Sequence, residues 1–180
     1  METSYSFFLK RLFSRSILVY PGELDAKPKS TNAEYMLKLS MRKVEMWNFN
    51  KSKILLSSDV KESSSSAMVV RGENIVSTVE TSRSSKKGCT FLYNADKYCW
   101  LPSGNYGVMH LYGPNNEIIA AYDQSETVKY RMGKARILVD VSDDFRLLVL
   151  FTCTMNHQSL AKPGERAEVL TGAVSAVTGM

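Results

Sequence analysis

Apolar residues change their arrangement once along this chain. From Ile17 to about residue 141 they come in short pieces cut by turn residues, whereas SDDFRLLVLFTCTM, residues 142 to 155, is apolar almost without interruption. In the first region the period is two. EYMLKLS sets Tyr35, Leu37 and Leu39 against Met36, Lys38 and Ser40, and ARILVDV sets Ala135, Ile137, Val139 and Val141 against Arg136, Leu138 and Asp140. That alternation marks strands with one buried face. SILVY, KVEMWNF, KILLS, AMVVR, IVSTVE, TFLYN, KYCWL, GVMHLY, EIIAAY and VKYR read the same way, which brings the predicted strands to about a dozen.

The breaks between them are turn chemistry: Pro21-Gly22, residues 27–32, the serine run Ser63 to Ser66, SRSSKKG from Ser82 to Gly88, and Pro102-Ser103-Gly104. Gly113-Pro114-Asn115-Asn116 is the clearest. Proline fixes φ and asparagine tolerates left-handed geometry, so GVMHLY and EIIAAY are expected to pair as an antiparallel hairpin. Many short strands without interleaved helical patterns argue for an all-β sandwich or barrel. No internal repeat is visible.

The 142–155 stretch has two readings. As a helix from about 143 to 158 it starts with Ser142 or Asp143 as cap and has Asp143 and Asp144 in its first turn, where negative charge suits the helix dipole. It is then apolar on nearly every side, and such a helix must be enclosed by protein. As a strand, LLVLFTCT also suits the middle of a sandwich sheet. A bilayer span is the poorest reading, because the block from Phe145 to Cys153 is interrupted by Thr152 and followed by Asn156, His157 and Gln158, short of the roughly 18 apolar residues needed. Pro163-Gly164 stops the pattern, and residues 162–180 read as a flexible C-terminal tail.

Residues 1–15 read as a flexible or amphipathic N-terminal segment. SYSFFLKRLFSRS places Lys10, Arg11 and Arg15 among Phe8, Leu9, Leu12 and Phe13, as in an interfacial helix or a mitochondrial transit peptide; a first strand is the plainer alternative. The expected domain then covers residues 16–161.

Composition adds little to this. A chain of 180 residues with 44% hydrophobic and 23% charged residues makes one folded domain. The net charge of +5 leans toward phosphate-bearing partners. Three cysteines, Cys89, Cys99 and Cys153, leave an odd thiol and fall in no metal-binding spacing, which suits a reduced intracellular protein, cytoplasmic or peripheral to a membrane. Cys153 and His157 share a helical face but lack a second pair of ligands, so no metal or cofactor is expected. His110, on one strand face with Val108 and Tyr112, reads as a barrel-lining histidine, and Trp47 and Trp100 as core anchors. Asp96, Glu117 and the Asp143-Asp144 pair read as turn, hairpin and cap residues. With no phosphate-cradling glycine motif and no nucleophile–base constellation, the residues predict no enzyme.

FLYNADKYCWLPSG, MHLYGPNNEIIAAYD and ARILVDVSDDFRLLVLFTCTM occur in that order. Together they resemble the fungal domains of unknown function grouped with the tubby C-terminal-like superfamily, to which tubby, scramblase and LURP-one-related proteins also belong. Tyr98 and Trp100 match a Tyr-x-Trp strand, Leu111 and Tyr112 a first hairpin strand, Ile118 to Tyr122 the second, and Phe145 to Met155 the hydrophobic helix. The match covers roughly residues 89 to 160. It implies a closed antiparallel β-barrel of about a dozen strands around a C-terminal apolar helix.

The resemblance also implies a class of partner, since tubby proteins hold phosphoinositide head groups on basic residues of the barrel. The candidates here are Lys10, Arg11 and Arg15, Arg42 and Lys43, and Arg83, Lys86 and Lys87. Their convergence is expected in a non-catalytic binding module for acidic phospholipid, phosphoinositide or a protein partner. Two alternatives are carried: a lipid-handling, scramblase-like barrel that takes an acyl chain, and a nucleic-acid-binding β domain that stacks bases on Tyr93, Tyr98, Trp100 and Tyr112.

Overall fold

The computed structural model describes residues 2–11, 15–40, 43–59, 66–81, 88–105, 107–124 and 131–160, the last five of these in backbone only. Twelve strands follow one another: β1 (Thr3–Leu9), β2 (Ser16–Pro21), β3 (Tyr35–Leu39), β4 (Lys43–Asn48), β5 (Lys53–Asp59), β6 (Ser66–Arg71), β7 (Asn74–Thr81), β8 (Cys89–Tyr93), β9 (Asp96–Pro102), β10 (Val108–Tyr112), β11 (Ile118–Asp123) and β12 (Arg131–Ile137). Each pairs antiparallel with its sequence neighbour, and β1 pairs with β12 to close the barrel. A single helix, α1 (Asp143–Leu160), follows.

The helix settles the fate of the 142–155 stretch for a geometric reason. Eight strands already enclose a space that side chains alone can fill, so twelve enclose more than strand residues can pack. α1 fills the remainder: Phe145, Leu148, Val149, Leu150, Phe151, Cys153 and Met155 are all buried in the same cluster as the inward residues of the strands. Ser142 caps it, its Oγ accepting from Phe145 N at 3.3 Å. Two buried threonines on α1 are satisfied locally. Thr152 Oγ1 donates to Val149 O (3.2 Å) and Thr154 Oγ1 to Phe151 O (2.7 Å). Thr152 Oγ1 also accepts from Trp100 Nε1 on β9 at 3.1 Å, which fixes the helix against the wall.

The N-terminal expectation needs correction. Thr3–Leu9 is neither a loose nor an interfacial segment but the strand β1, paired with β2 on one side and β12 on the other, and the barrel therefore begins at Thr3 rather than at residue 16. Tyr5, Phe7 and Leu9 face the main core, while Phe8 joins Leu18, Tyr20 and Ala33 in a second cluster on the outer face. Residues 22–34 cover that cluster, tied down where Ser6 Oγ donates to Gly22 O and accepts from Leu24 N. Phe7 and Phe8 are thus covered on opposite faces of one strand, while Leu12 and Phe13 lie outside the described residues.

Near the C-terminus, only Arg131 of VKYR is among the described residues. Val128 to Tyr130 lie outside the described residues, β12 starts at Arg131, and after Ile137 the chain leaves the sheet, so Val139 and Val141 extend no strand. Two side chains expected inside are outside. His110 sits on the outer wall edge-on to Tyr112, and Trp47 lies beneath Lys38, whose Nζ is 3.9 Å from the ring centroid. Both strands already bury the residues on either side, Met109 and Leu111, and Val44 and Met46. The predicted tail from residue 162 lies outside the described residues.

Gly88 is required by a close approach of two backbones. A Cβ there would fall 1.4 Å from the Trp100 carbonyl oxygen. Gly88→Ala is expected to lose about 1–3 kcal/mol or more, read as a lowered urea midpoint, because backbone rather than a flexible side chain would have to yield.

Burial also sets the alkaline limit of stability. Desolvation, with the Glu34 carboxylate as a lesser cause, holds the Tyr5 and Tyr35 phenols above their usual range, and desolvation does the same for Tyr122. The Cys89 thiol is pushed up to about 12 from 9.0, chiefly by burial. These groups stay protonated in the folded chain at a pH where the unfolded chain ionises. Their contribution is therefore full below about pH 9 and is lost as the pH rises toward the folded values. Urea midpoints measured from pH 8 to 12 should fall progressively above pH 9.

Candidate anion-binding rim

An antiparallel barrel in simple up-and-down order sends alternate connections to opposite ends. The β1–β2, β3–β4, β5–β6, β7–β8, β9–β10 and β11–β12 connections all leave one rim, and the others leave the second. α1 enters at the second rim, where Asp144 pairs with Arg71 at the end of β6 (2.9 Å) and Ser142 Oγ meets Tyr93 OH at the end of β8 (3.2 Å). It runs toward the first, since Thr152 O lies 3.9 Å from Cys89 Sγ at the start of β8.

Charge follows this division. Among the described residues, the connections of the first rim carry Lys10, Arg11 and Arg15 and no Asp or Glu. The entry rim, apart from residues 22–33, which run over the outer wall, carries Glu34, Glu73, Glu117 and Asp140, with Asp143 and Asp144 of α1, against Lys51. The signs also match the dipole of α1, whose positive N-terminus lies among the acids and whose C-terminus points toward the basic rim.

Three basic clusters were expected to converge. Lys10, Arg11 and Arg15 are exposed on the β1–β2 connection. Leu39 N donates to Arg15 O (2.8 Å), so the end of β3 and the first residue of β4, Lys43, sit beside them. The Lys43 ammonium is already engaged, however, with Glu45 at 2.7 Å; the pair holds the lysine pKa up and the carboxyl of Glu45 down. Arg42, Arg83, Lys86 and Lys87 lie outside the described residues. The strand ends that flank the last three, Thr81 and Gly88, are on the same rim but half the ring away from β1 and β2.

Other candidates are excluded by position. Trp100 is fully buried, and Tyr93 and Tyr98 pack on Phe145 with ring centroids 4.9 and 4.7 Å away, so three of the four aromatics that could have stacked bases form the barrel interior. Cys89 and Cys153 are buried with raised thiol pKa values, the result mainly of desolvation, which leaves them protonated and weakly nucleophilic near neutral pH. The side chain of His157 is outside the described ones, and among the described residues no three His, Cys, Asp or Glu are grouped to hold a metal. No described helix is long and apolar enough to cross a membrane.

Sequence reasoning overlooked a cluster on the outer wall. Arg131, Lys134 and Arg136 of β12, with Asp123 of β11 and Glu23 after β2, line a cleft of about 170 Å3. Lys134 and Arg136 fall on one strand face by period two, but Arg131 joins them only through the register shift opposite Phe7 and Phe8.

No family model and no curated protein matches this sequence. Among solved structures, a protein of Arabidopsis thaliana determined by X-ray crystallography is similar over 83% of this chain and 88% of its own, with a TM-score of 0.56 and 12% sequence identity. At that identity the likeness is one of fold alone.

Proposed function

We propose that this barrel is a non-catalytic binding module that seats its basic rim on an acidic phospholipid surface, with phosphoinositide head groups the favoured ligands. The segregation of charge between the two rims carries the reading. Lys10, Arg11 and Arg15 stand exposed together on the β1–β2 connection, where a flat anionic surface meets all three at once. The acidic rim is then turned away from the membrane, which orients the molecule. A juxtamembrane Lys or Arg contributes about 1 kcal/mol of attraction to an anionic leaflet, screened by salt.

The other readings fare less well on the same observations. An acyl chain in the barrel would have to displace α1, whose side chains fill the interior, and base stacking loses Trp100 and Tyr98 to the core. A protein partner is the second reading, favoured by Met68, Ile75 and Leu92, which are 57%, 62% and 47% exposed on the adjacent strands β6, β7 and β8. Peripheral attachment inside the cell is the corresponding location.

Co-sedimentation with phosphoinositide-containing and neutral vesicles tests this reading. Binding is expected only to the acidic vesicles and is expected to weaken with salt. Replacing Lys10, Arg11 and Arg15 by Ala, or Arg83, Lys86 and Lys87 by Ala, should each weaken it by about 100-fold, as three contributions of about 1 kcal/mol predict. Unchanged binding in both variants would sink the rim as the site.

A further inference from the structure

The outer wall formed by β6, β7 and β8 departs from the usual wet face of an antiparallel sheet, whose outward residues are polar. Met68, Ile75 and Leu92, one from each strand, are the three most exposed large apolar side chains among the described residues. Their register groups them. Met68 pairs with Thr78, and because Val79 pairs with Phe91, Leu92 lies on the far side of Thr78, where Ser77 Oγ donates to Leu92 O at 2.7 Å. The register shift between Val69 and Val70 turns Val76 toward the core and leaves Ile75 outside, beside Val70. The three side chains therefore make one patch, and a contiguous apolar patch marks a contact surface.

The charges around the patch select its partner. Glu73, just before Ile75, and Glu80, just beyond Thr78, are exposed at its two ends, and neither forms an ion pair among the described residues. Arg71 at the end of β6 is matched by Asp144 at 2.9 Å. Lys97, the cross-strand partner of Leu92, adds one positive charge on the β9 side, so the β6–β7 side is the acidic one. An apolar surface edged by carboxylates fits Lys and Arg, whose methylene stems cover apolar side chains while their charged ends reach past them. An acidic partner would set like charges together, and a purely apolar one would strip water from both carboxylates.

The chain carries such a segment. Lys10, Arg11 and Arg15 are exposed together on the β1–β2 connection. β1 and β2 lie half the ring away from β6, β7 and β8, so this connection cannot reach the patch of its own barrel. We infer that the β6–β8 wall of one copy docks the β1–β2 connection of a second copy, its cations lying along Met68, Ile75 and Leu92 toward Glu73 and Glu80. The contact joins unlike surfaces, so every open assembly ends in one free connection and one free wall. It rests on the protein-partner reading of this wall and uses the cations that the lipid reading assigns to a membrane, so acidic vesicles compete with it.

Sedimentation velocity of the full chain tests this. At low salt the weight-average mass should rise with concentration, and it should return toward the 20.2 kDa of one chain as salt screens the contact. A wall variant, Met68→Ser with Ile75→Ser, should weaken association about tenfold or more, and so should a connection variant, Lys10→Ala with Arg11→Ala and Arg15→Ala. Glu73→Gln with Glu80→Gln should weaken it as well. All of these positions are exposed, which spares the fold. Mixed one to one, the wall and connection variants should form a dimer and nothing larger, because each keeps the surface that the other has lost. A chain that stays monomeric at every concentration, association that any of the three variants leaves unchanged, or a mixture that remains monomeric would overturn the contact. The lipid reading fails separately: Met68→Ser with Ile75→Ser leaves the net charge unchanged and should sediment with phosphoinositide vesicles as the wild type does.

Discussion

Deleting residues 1–9 should leave a chain unable to form the barrel. β1 is the seam of the sheet: it pairs with β2 and β12, and without it both become edges that expose unpaired backbone groups and invite association. The side chains lost are equally costly. Phe7 and Phe8 are fully buried on opposite faces, and Tyr5 and Leu9 are nearly so. At about 3–5 kcal/mol for removing each buried phenylalanine ring, the deletion exceeds most of the 5–15 kcal/mol by which a domain of this kind is stable. Size-exclusion chromatography and far-ultraviolet circular dichroism should show aggregate or unfolded chain. A soluble monomer with a cooperative melt close to that of the full chain would contradict the assignment of β1.

The second large effect is expected at Trp100, where wall and helix meet. Trp100→Ala should lose about 3–5 kcal/mol, because it empties the largest fully buried side chain in the barrel and removes the donor to Thr152. The hydrogen bond is separable from the packing. Thr152→Val keeps the shape but leaves the indole N–H buried without its acceptor, at a cost of about 1–3 kcal/mol, whereas Trp100→Phe leaves Thr152 still bonded to Val149 O. Thr152→Val introduced into Trp100→Phe should therefore cost much less than in the wild type. Equal costs in both backgrounds, measured by urea unfolding, would show that the contact contributes nothing.

What the sequence disclosed follows from which forces act locally. Alternation and short apolar runs between turns marked eleven of the twelve strands, including Arg131–Ile137 through ARILVDV; most bury one face and leave the other wetter, whereas β2 and β11 are buried over consecutive residues. β1 was read otherwise because its apolar run leads straight into Lys10, Arg11 and Arg15, and nothing local announces that residues 22–34 will fold back over Phe8. Trp47 and His110 were placed inside on residue type alone, although the alternation of KVEMWNF and GVMHLY, followed strictly, puts them outside. The charged sites divide in the same way. The basic connections were legible as clusters, but that Lys10, Arg11 and Arg15 sit at one mouth of the barrel depends on strand order. The β12 cleft depends further on a register shift and on a corner from another part of the chain.

The central claim is that the basic rim faces an acidic membrane. Its most direct test places a single fluorescent label at either end of the barrel, Asn105→Cys in the β9–β10 connection of the basic rim or Asn115→Cys in the β10–β11 turn of the entry rim. Both are exposed positions, and Cys99→Ser keeps the half-buried native thiol from reacting. With phosphoinositide vesicles carrying a quencher in the head-group region, the label at 105 should be quenched and the label at 115 should stay as bright as in free protein. Quenching at 115, or at neither position while the protein sediments with the vesicles, would contradict the orientation and the charge argument from which it comes.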